Sequence, residues 1–403
     1  HLEGFPSPPC FGMLLLSAIL IILGSGRARL IPDSSLDLRE IAWQPERTNV
    51  FLGSPSILRL PSGDLLASAD RFGDGFHTQR NVSVYRSTDE GDTWQFVTWV
   101  KNQYWSNLFQ VDSNSTNVYL LGTATDGPAP IKLAMSHDMG QTWKDEDAVI
   151  LFGEVSGNAS YETGPTPTLI SSKGRLYRAM ERLRPPFQWG RDYEAVVLHT
   201  DAGMNLTDPS SWTLSKPLPF NDSWMPESWS PRPENPGYLE GNMIEGPDGE
   251  IYDLLRFNSR PYPGNKAVLL RFDVAQNVLS FDSFVDLPGG HSKFVVRRDK
   301  VTGYYLTLAN PNTNESYIDQ RNILKLYASK DLREWREVVT LLEDDTGFAP
   351  DDSVRFTGFH YVDWRIDGND ILYVVRTAYR GAVSYHNSNR ITFKALKKFR
   401  TLL

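Results

Sequence analysis

The chain has 403 residues, of which 40% are hydrophobic, 12% aromatic and 22% charged, which is enough to bury one large core or two smaller ones. Its formal net charge of -8 argues against nucleic acid or an anionic membrane surface as a partner, because phosphate groups repel an acidic protein. A solvated acidic surface is sufficient to account for this charge.

An apolar run, "MLLLSAILIIL", occupies residues 13–23 and is followed by the small residues of "GSGRA". The run is too short to span a bilayer but suits the apolar region of a secretory signal with a cleavage site behind it. We therefore predict an N-terminal extension plus signal peptide over 1–28 and a single domain over 29–403. After cleavage, the protein is expected to keep no stable membrane anchor.

The distribution of sequons and cysteine agrees with secretion. The only cysteine, Cys10, precedes the predicted mature chain, so we expect neither a disulfide nor a thiolate metal site there. A large fold outside the cell can be stable without such crosslinks. Six Asn-x-Ser/Thr sequons predict a glycosylated, secreted protein: Asn81, Asn114, Asn158, Asn205, Asn221 and Asn314.

One unit recurs along the chain. It consists of a short strand, a turn, and a second strand rich in Leu, Tyr and Val, which is the pattern of a β-hairpin. Repetition of such a unit at a fixed spacing indicates a repeat architecture. The hairpins begin at Ser54, Asn107, Thr166, Gly241, Lys293 and Gly358.

Most hairpins are followed by a second strand pair that ends in Trp, as in "VSVYRSTDEGDTW" and "IKLAMSHDMGQTW". Four strands per unit predict an all-β fold, a β-propeller with four-stranded antiparallel blades. The hairpin count predicts six blades. The 49 residues from Ser87 to Ser136, taken as the blade length, would give seven, which remains the alternative.

The rest of the chain fits this architecture. No stretch keeps the apolar spacing of an amphipathic helix, so few helices are expected. The segment "LREIAWQPE" near residue 40 is predicted to supply the outer strand of the last blade, beside "RITFKAL" near the C-terminus. The Pro-rich segment 219–237 is predicted to be a long loop over one face.

Two stretches, 87–94 and 136–143, share the pattern S-x-D-x-G-x-x-W. Ser and Asp at the start of a tight turn can bond local backbone amides, Gly supplies a positive φ, and Trp can pack between blades. A feature repeated around a ring is not a single active site, so we interpret both stretches as structural turns with His137 exposed. Degenerate copies are 329–335, which lacks the Gly, and the one ending at Trp212.

This repeated pattern on β-hairpins resembles the Asp box of the sialidase superfamily. As an architecture, the resemblance covers the whole predicted mature chain and implies a glycan as the partner. Sialidases clamp the substrate carboxylate with Arg side chains, which form bidentate, charge-assisted bonds. Their nucleophile is a Tyr hydroxyl activated by Glu, in place of the usual second carboxylate.

The resemblance assigns roles to four residues. The segment "EGNMIEGPDGEIYDLLR" resembles the one that supplies the activating Glu and a clamp Arg, at Glu240 and Arg256. The segment "GFHYVDWRIDGNDILYVVR" is similar to the nucleophile segment, with Tyr361 at the Tyr position. Arg321 matches an arginine ahead of a late box, and Arg376 is predicted to converge on the same face. The implied function is exo-hydrolysis of a terminal acidic sugar.

Two positions depart from the sialidase pattern. Gly53 stands where the Arg of an Arg-Ile-Pro motif is expected, and Asn81 stands where the acid Asp is expected. Asp70 and Asp74 are nearby substitutes for that acid. Loss of the clamp and the acid would also fit a non-catalytic glycan-binding propeller, which is the alternative from a different functional class.

Other segments resemble sialidase-fold enzymes that act on rhamnose–glucuronate linkages, by hydrolysis or by lyase chemistry. Some of these hydrolases use a first-blade His where Ala69 stands here. Lyase chemistry needs a base beside cations that stabilise the resulting anion. His291 and Lys293 in "GGHSKF", with His360 and Arg376, are the candidates.

Motifs for other kinds of site are missing from the sequence. There is no Gly-rich phosphate loop, no calcium-loop spacing and no His pair with zinc spacing. We therefore predict no cofactor and no metal site from these motifs; a structural calcium held by irregular carbonyl groups leaves no sequence signature and stays open as an alternative.

Overall fold

The strands form six antiparallel sheets that follow one another along the chain. The computed structural model describes residues 34–73, 81–153, 160–184, 186–260 and 264–403. The predicted signal segment, Asp74 and the sequon at Asn158 lie outside these residues. Within them, five sheets have four strands and the third has six. The fold is therefore a six-bladed β-propeller, as the hairpin count predicts, and the seven-bladed alternative is wrong.

Strand pairing assigns the strands to six blades. The outer strand of blade 6 is β1 (Arg39–Trp43). Blade 1 has β2 (Phe51–Arg59), β3 (Leu65–Phe72), β4 (Asn81–Ser87) and β5 (Gln95–Lys101). Blade 2 has β6 (Tyr104–Phe109), β7 (Val118–Thr123), β8 (Ile131–Ser136) and β9 (Ala148–Phe152). Blade 3 has β10 (Ser160–Glu162), β11 (Leu169–Ile170), β12 (Arg175–Leu183), β13 (Glu194–Asp201), β14 (Thr213–Leu214) and β15 (Leu218–Pro219).

The remaining blades follow the four-strand pattern. Blade 4 has β16 (Gly237–Glu245), β17 (Ile251–Asn258), β18 (Lys266–Asp273) and β19 (Val278–Asp286). Blade 5 has β20 (Val295–Arg298), β21 (Tyr305–Ala309), β22 (Ile323–Ser329) and β23 (Trp335–Glu343). Blade 6 has β24 (Gly358–Asp367), β25 (Asp370–Ala378) and β26 (Arg390–Leu396) in addition to β1. Between blades 5 and 6 lies a seven-residue α-helix, α1 (Pro350–Phe356).

The ring closes as the sequence predicts. Strand β1, from the N-terminal side of the domain, pairs antiparallel with β26 near the C-terminus, with Arg39 opposite Phe393 and Trp43 opposite Arg390. The last blade thus combines strands from both ends of the chain. Closure of this kind ties the first and last parts of a propeller into one unit.

The hydrophobic core is divided among the interfaces between blades. Among the described residues, six large clusters of buried apolar side chains occur, each joining neighbouring blades. In one of them, Leu52 and Ile57 of blade 1 pack with Ile391 and Phe393 of blade 6. Because both faces of each blade are covered, the inner strands are buried on both sides, and all eight residues of β17 are buried.

The S-x-D-x-G-x-x-W stretches form the turns expected of them. The Ser87 hydroxyl accepts the Gly91 N–H at 2.9 Å, and Asp89 accepts the Thr93 N–H at 2.8 Å. The Trp94 indole donates to the Gly91 carbonyl at 3.1 Å and packs on Phe393 of the next blade, with ring centroids 5.5 Å apart. We call these turns, 87–94 and 136–143, the box turns.

The degenerate copy at 329–335 keeps the turn without its glycine. Ser329 accepts the Leu332 N–H at 2.9 Å, and the Trp335 indole donates to the Leu332 carbonyl at 3.0 Å. Leu332 itself takes the left-handed conformation, with φ of 69°, which glycine adopts at less cost. Its burial in the cluster between blades 4 and 5 offsets that strain.

The Pro-rich segment 219–237 is mostly loop, as predicted, but it covers the outer edge of blade 4. Trp224 stacks on Phe281 of β19, with ring centroids 4.7 Å apart and an interplanar angle of 11°. Trp229 meets Phe284 of the same strand edge-on, with centroids 4.7 Å apart. Burial of these rings on the outer strand gives the loop its position. No helix in the described part of the chain is long and apolar enough to cross a membrane.

Candidate active site

Four blades carry the same irregularity where their first strand begins. In β2, β6, β16 and β24, the pairing register shifts by one residue, which marks a β-bulge. Inside the bulges, four residues other than glycine take the left-handed conformation: Ser54 (φ 49°), Trp105 (44°), Glu240 (57°) and Tyr361 (51°). Such strain at equivalent places is typical of functional sites, since a bulge re-aims a side chain.

Two of these strained residues, one from blade 4 and one from blade 6, are in direct contact. The Tyr361 hydroxyl donates a hydrogen bond of 2.5 Å to Oε1 of Glu240. The other carboxylate oxygen of Glu240 accepts from Nη1 of Arg256 at 3.0 Å. Glu240 and Arg256 are both buried, so the ion pair is poorly screened. Burial and the Glu240 charge raise the pKa of Tyr361, which keeps its hydroxyl protonated at rest.

Two further guanidinium groups border this pair. Arg376 lies over the Tyr361 ring, 5.0 Å from its centroid, and donates to the His386 carbonyl at 2.5 Å. Arg321 donates to the Gln320 carbonyl at 2.7 Å, and burial and the charge of Arg256 lower its pKa to about 10. The three predicted clamp arginines therefore converge near Glu240.

The arrangement leaves positive charge unbalanced. Among the described residues, Arg256 pairs with Glu240, whereas no carboxylate lies within ion-pair distance of Arg321 or Arg376. Both of these side chains are buried at the floor of the site. A buried guanidinium without a counter-ion is costly, and an anionic ligand would relieve that cost.

The predicted histidines border the same arginines and are uncharged. Burial, followed by the charges of Arg321 and Arg256, lowers the pKa of His291 well below its usual range. Burial and Arg376 do the same for His360, whose Nε2 lies 2.9 Å from the Tyr385 carbonyl. Nδ1 of His291 accepts the Asn265 N–H at 3.2 Å, so Nε2 carries the proton and has no partner among the described residues. Neither histidine contributes charge at neutral pH.

Buried ionisable side chains from neighbouring blades hold three of the bulges. Glu181 accepts the N–H of Gly241, directly after Glu240, at 3.1 Å. The Lys293 ammonium donates to the carbonyl of Val362, directly after Tyr361, at 2.8 Å. Predicted Lys293 therefore lies beneath the site, where burial lowers its pKa to about 7.

The third bulge is held by one of the candidate substitutes for the missing acid. Asp70 accepts the Trp105 N–H at 3.0 Å, and burial raises its pKa to about 8. Its side chain is 1% exposed, so it has little access to a ligand.

A carboxyl group that the sequence reasoning missed lies beside Glu240. Glu162 ends β10 and is half-buried; burial and the charge of Glu240 raise its pKa to about 7. Trp189 lies beside Glu162 and over Arg256, 5.4 Å from the guanidinium, and is 45% exposed. In the sequence, the one feature that could have pointed to Glu162 is its position at the end of the first strand of a blade.

The two departures from the sialidase pattern have structural consequences. A Cβ at Gly53 would lie 3.2 Å from the Phe72 ring and 3.5 Å from Nη1 of Arg376, so Phe72 and Arg376 occupy the space around the missing arginine. Asn81 is buried in β4, paired with Lys101, and accepts the Asn102 N–H at 3.4 Å. Asn81 therefore stabilises the pairing of β4 with β5 and does not contact the candidate active site.

No group of three or more His, Cys, Asp or Glu side chains arranged for a metal ion occurs within the described ranges.

Comparisons with known proteins show the fold. No protein-family model matches the sequence, and no curated protein matches it. The α-L-arabinanase of Penicillium chrysogenum, in complex with arabinobiose, matches with a TM-score of 0.55 at 15% identity, over 91% of this chain and 99% of the arabinanase. The GH93 α-L-arabinofuranosidase of Fusarium graminearum, with arabinobiose, matches with a TM-score of 0.58 at 13% identity, over 89% of this chain and 97% of that enzyme.

A sialidase also shares the architecture. The Trypanosoma rangeli sialidase, in complex with sialic acid, matches with a TM-score of 0.52 at 14% identity, over 86% of this chain and 54% of the sialidase. This chain therefore spans about half the length of that protein. At these identities the likeness shows the fold alone: the chain has the six-bladed propeller fold of sialidases and arabinanases.

Proposed function

We propose that the protein is a glycoside hydrolase of the sialidase type, which removes a terminal sugar that carries a carboxylate. The observation that carries this proposal is the 2.5 Å hydrogen bond from Tyr361 to Glu240, with Arg376 and Arg321 beside it. A nucleophile bonded to its base, next to unbalanced positive charge, is what cleavage of an acidic glycoside requires.

Arg321 and Arg376 bind the substrate carboxylate in this proposal. They are held by backbone carbonyls and not by acidic side chains, so their charge is available to a ligand. Arg256 is occupied by Glu240, and its role is to hold that carboxylate in the correct orientation. The exposed indole of Trp189 offers a face for the sugar ring.

The Tyr361 hydroxyl attacks the anomeric carbon while Glu240 takes its proton. The bond to the leaving oxygen breaks as the new C–O bond to Tyr361 forms. A neutral phenol suits a carbon that already bears a carboxylate, because a carboxylate nucleophile would be repelled by it. Since the pKa of Tyr361 is raised, Glu240 must act as base during the attack and not before it.

Glu162 donates the proton that the leaving oxygen needs. A carboxyl group with a pKa of about 7 keeps a substantial protonated fraction in neutral solution, whereas an ordinary glutamic acid is almost wholly ionised there, and protonation is the state a general acid requires. In the second step the Glu162 carboxylate takes a proton from water. That water attacks the anomeric carbon, and Tyr361 leaves and recovers its proton from Glu240.

The test is turnover of a defined panel by the purified chain: an aryl sialoside, a rhamnosyl-glucuronate disaccharide and arabinobiose. Release of free sialic acid that disappears in Glu240→Gln supports the proposal. An unsaturated product absorbing in the ultraviolet would indicate lyase chemistry instead. Glycan binding with no turnover of any substrate would indicate a non-catalytic propeller.

One observation favours a second candidate, hydrolysis of an uncharged furanoside by a pair of carboxyl groups. The pKa of Glu162 is raised to about 7, and beside it Glu240 pairs with Arg256, which suits a general acid next to a carboxylate nucleophile. Solved structures of this fold include proteins in complex with arabinobiose. Turnover of arabinobiose that survives Tyr361→Phe but not Glu240→Gln would select this candidate.

We also propose that the protein is secreted and carries N-linked glycans. Four sequon asparagines are exposed in loops or turns: Asn114, Asn205, Asn221 and Asn314. Asn81 is buried in a strand, so we expect it to remain unmodified. Peptide mapping of the protein from the medium of secreting cells tests both statements, and glycan on Asn81 with none on the four exposed asparagines would contradict them.

A further inference from the structure

A cavity lies between blades 5 and 6, separate from the site around Glu240. It is open to solvent, has a volume of about 430 Å³, and is lined by the loop between β21 and β22 and by the segment from β23 to α1. The volume lies in the ~300–1,000 Å³ range of small-molecule sites. The proposed activity assigns it no role.

A network of amide, hydroxyl and carboxylate groups forms its floor. Gln320 donates to Oδ1 of Asn322 at 3.1 Å, and Asn322 donates to the Ser353 hydroxyl at 2.7 Å. Ser353 in turn donates to Oδ2 of Asp344 at 2.5 Å. These bonds fix the orientation of the polar groups before any ligand arrives, which lowers the entropic cost of binding.

Two aromatic side chains line the same cavity. Phe348 is 45% exposed and packs at one edge against Phe356 of α1, with ring centroids 6.2 Å apart. Tyr317 is held by a hydrogen bond from its hydroxyl to Asp351. Tyr317 is thus held in place, Phe348 is largely accessible, and each ring can offer an apolar surface to a ligand.

The charge of the cavity is opposite to that of the site around Glu240. Among the lining residues that the structure describes, none is Lys, Arg or His, and Asp344 carries the single formal charge. Arg321 stands between Gln320 and Asn322 in the chain, and its guanidinium lies near Arg256 and Tyr385 and not in this cavity. An anionic sugar therefore finds no counter-ion here, whereas hydroxyl groups find donors and acceptors.

We propose that this cavity binds an uncharged sugar residue. Fixed amides and hydroxyls at the floor suit the hydroxyl groups of a sugar, and the rings of Tyr317 and Phe348 suit its apolar C–H face. The floor groups already bond one another, and amide and hydroxyl groups have further donor and acceptor capacity that a sugar hydroxyl can use and a wholly apolar ligand cannot. The inference does not rest on the proposed activity, since a propeller that binds glycans without cleaving them would use the cavity in the same way.

The test is saturation-transfer NMR and calorimetric titration of the full chain with lactose, N-acetyllactosamine and arabinobiose. All titrations use protein that carries Ser316→Ala, which removes the sequon at Asn314 in the cavity wall and keeps the Asn314 side chain that accepts the N–H of residue 316. We expect at least one of the three sugars to bind, and Phe348→Ala to weaken it about tenfold through loss of ring contact.

Two controls separate this site from other surfaces. Phe96→Ala removes an aromatic side chain of similar exposure, 46%, from the outer strand of blade 1. Glu240→Gln disables the proposed catalytic site. Both should leave sugar affinity within twofold of the parent protein. Absence of binding by all three sugars, or binding that is lost in Glu240→Gln and retained in Phe348→Ala, would overturn the inference.

Discussion

The box turns and the bulged first strands lie at different positions on the blades and obey different rules. Each box turn satisfies its own polar groups: Ser136 accepts from Gly140 and Asp138 from Thr142 in the same geometry as in the first copy. The bulges instead carry strained residues whose side chains meet residues of other blades, as Tyr361 meets Glu240. The repeated box turns therefore identify the fold, whereas the bulge residues that differ from blade to blade identify the candidate active site.

The largest expected effect lies at the bulges. Glu240→Gln removes the base and the counter-ion of Arg256 while keeping the side-chain volume, so we expect kcat/KM to fall about 10²–10⁴-fold. Ser136→Ala in a box turn is the matched control and should leave kcat/KM unchanged. Steady-state kinetics on the best substrate of the panel measures both. A loss of similar size in Ser136→Ala would break the distinction between the two regions.

The next effect is on stability and lies at the box turns. Trp94 is buried at 8% exposure between blades 1 and 6, and Trp94→Ala should lower the free energy of unfolding by about 3–5 kcal/mol. Denaturant unfolding measures this change. Trp43→Ala, at a position that is 49% exposed, should change it by less than about 0.5 kcal/mol. Equal effects in the two variants would contradict a structural role for the box tryptophan.

A smaller effect is expected from the clamp. Arg376→Lys keeps the charge but loses the planar donor pair, so KM for an acidic substrate should rise about 10–100-fold with kcat less affected. For arabinobiose the same variant should leave KM nearly unchanged. Measured KM values for the two substrates give the comparison. An equal rise for both would mean that Arg376 supports the fold of the site and does not select for acidic sugars.

The pH dependence gives the smallest and most specific effect. Because the pKa of Glu162 is raised to about 7, its protonated fraction falls above that pH, and kcat/KM should fall tenfold per pH unit on the alkaline side. Glu162→Gln should abolish this limb. It should also spare aryl substrates, whose leaving group needs no proton, more than disaccharides. An alkaline limb that persists in Glu162→Gln would assign it to another group.

The sequence predicts features that are set within a short stretch of chain better than contacts between distant blades. The six hairpins, the ring closure and the box turns follow from turn chemistry and strand patterns within short stretches, and the structure confirms them. Glu240, Arg256 and Tyr361 were predicted through resemblance of short segments to sialidases. Their mutual contacts depend on blades far apart in sequence and could not be predicted from spacing.

The residues that sequence reasoning missed or misplaced owe their roles to burial. Glu162 looks like any strand-end glutamate until the Glu240 charge and the surrounding protein raise its pKa. Lys293 was predicted to bind substrate, yet its ammonium bonds the Val362 carbonyl below the site. The role of Glu181 in holding the Glu240 bulge leaves no trace in composition or periodicity.

The most direct test of the account is identification of the nucleophile. The protein is incubated with a fluorinated sialosyl fluoride, which slows the second step and traps the glycosylated enzyme, and the labelled peptide is mapped by mass spectrometry. The account predicts one sialosyl group on Tyr361 and none in Glu240→Gln. A label on Glu240 or Glu162, or no label on the parent protein, would contradict it.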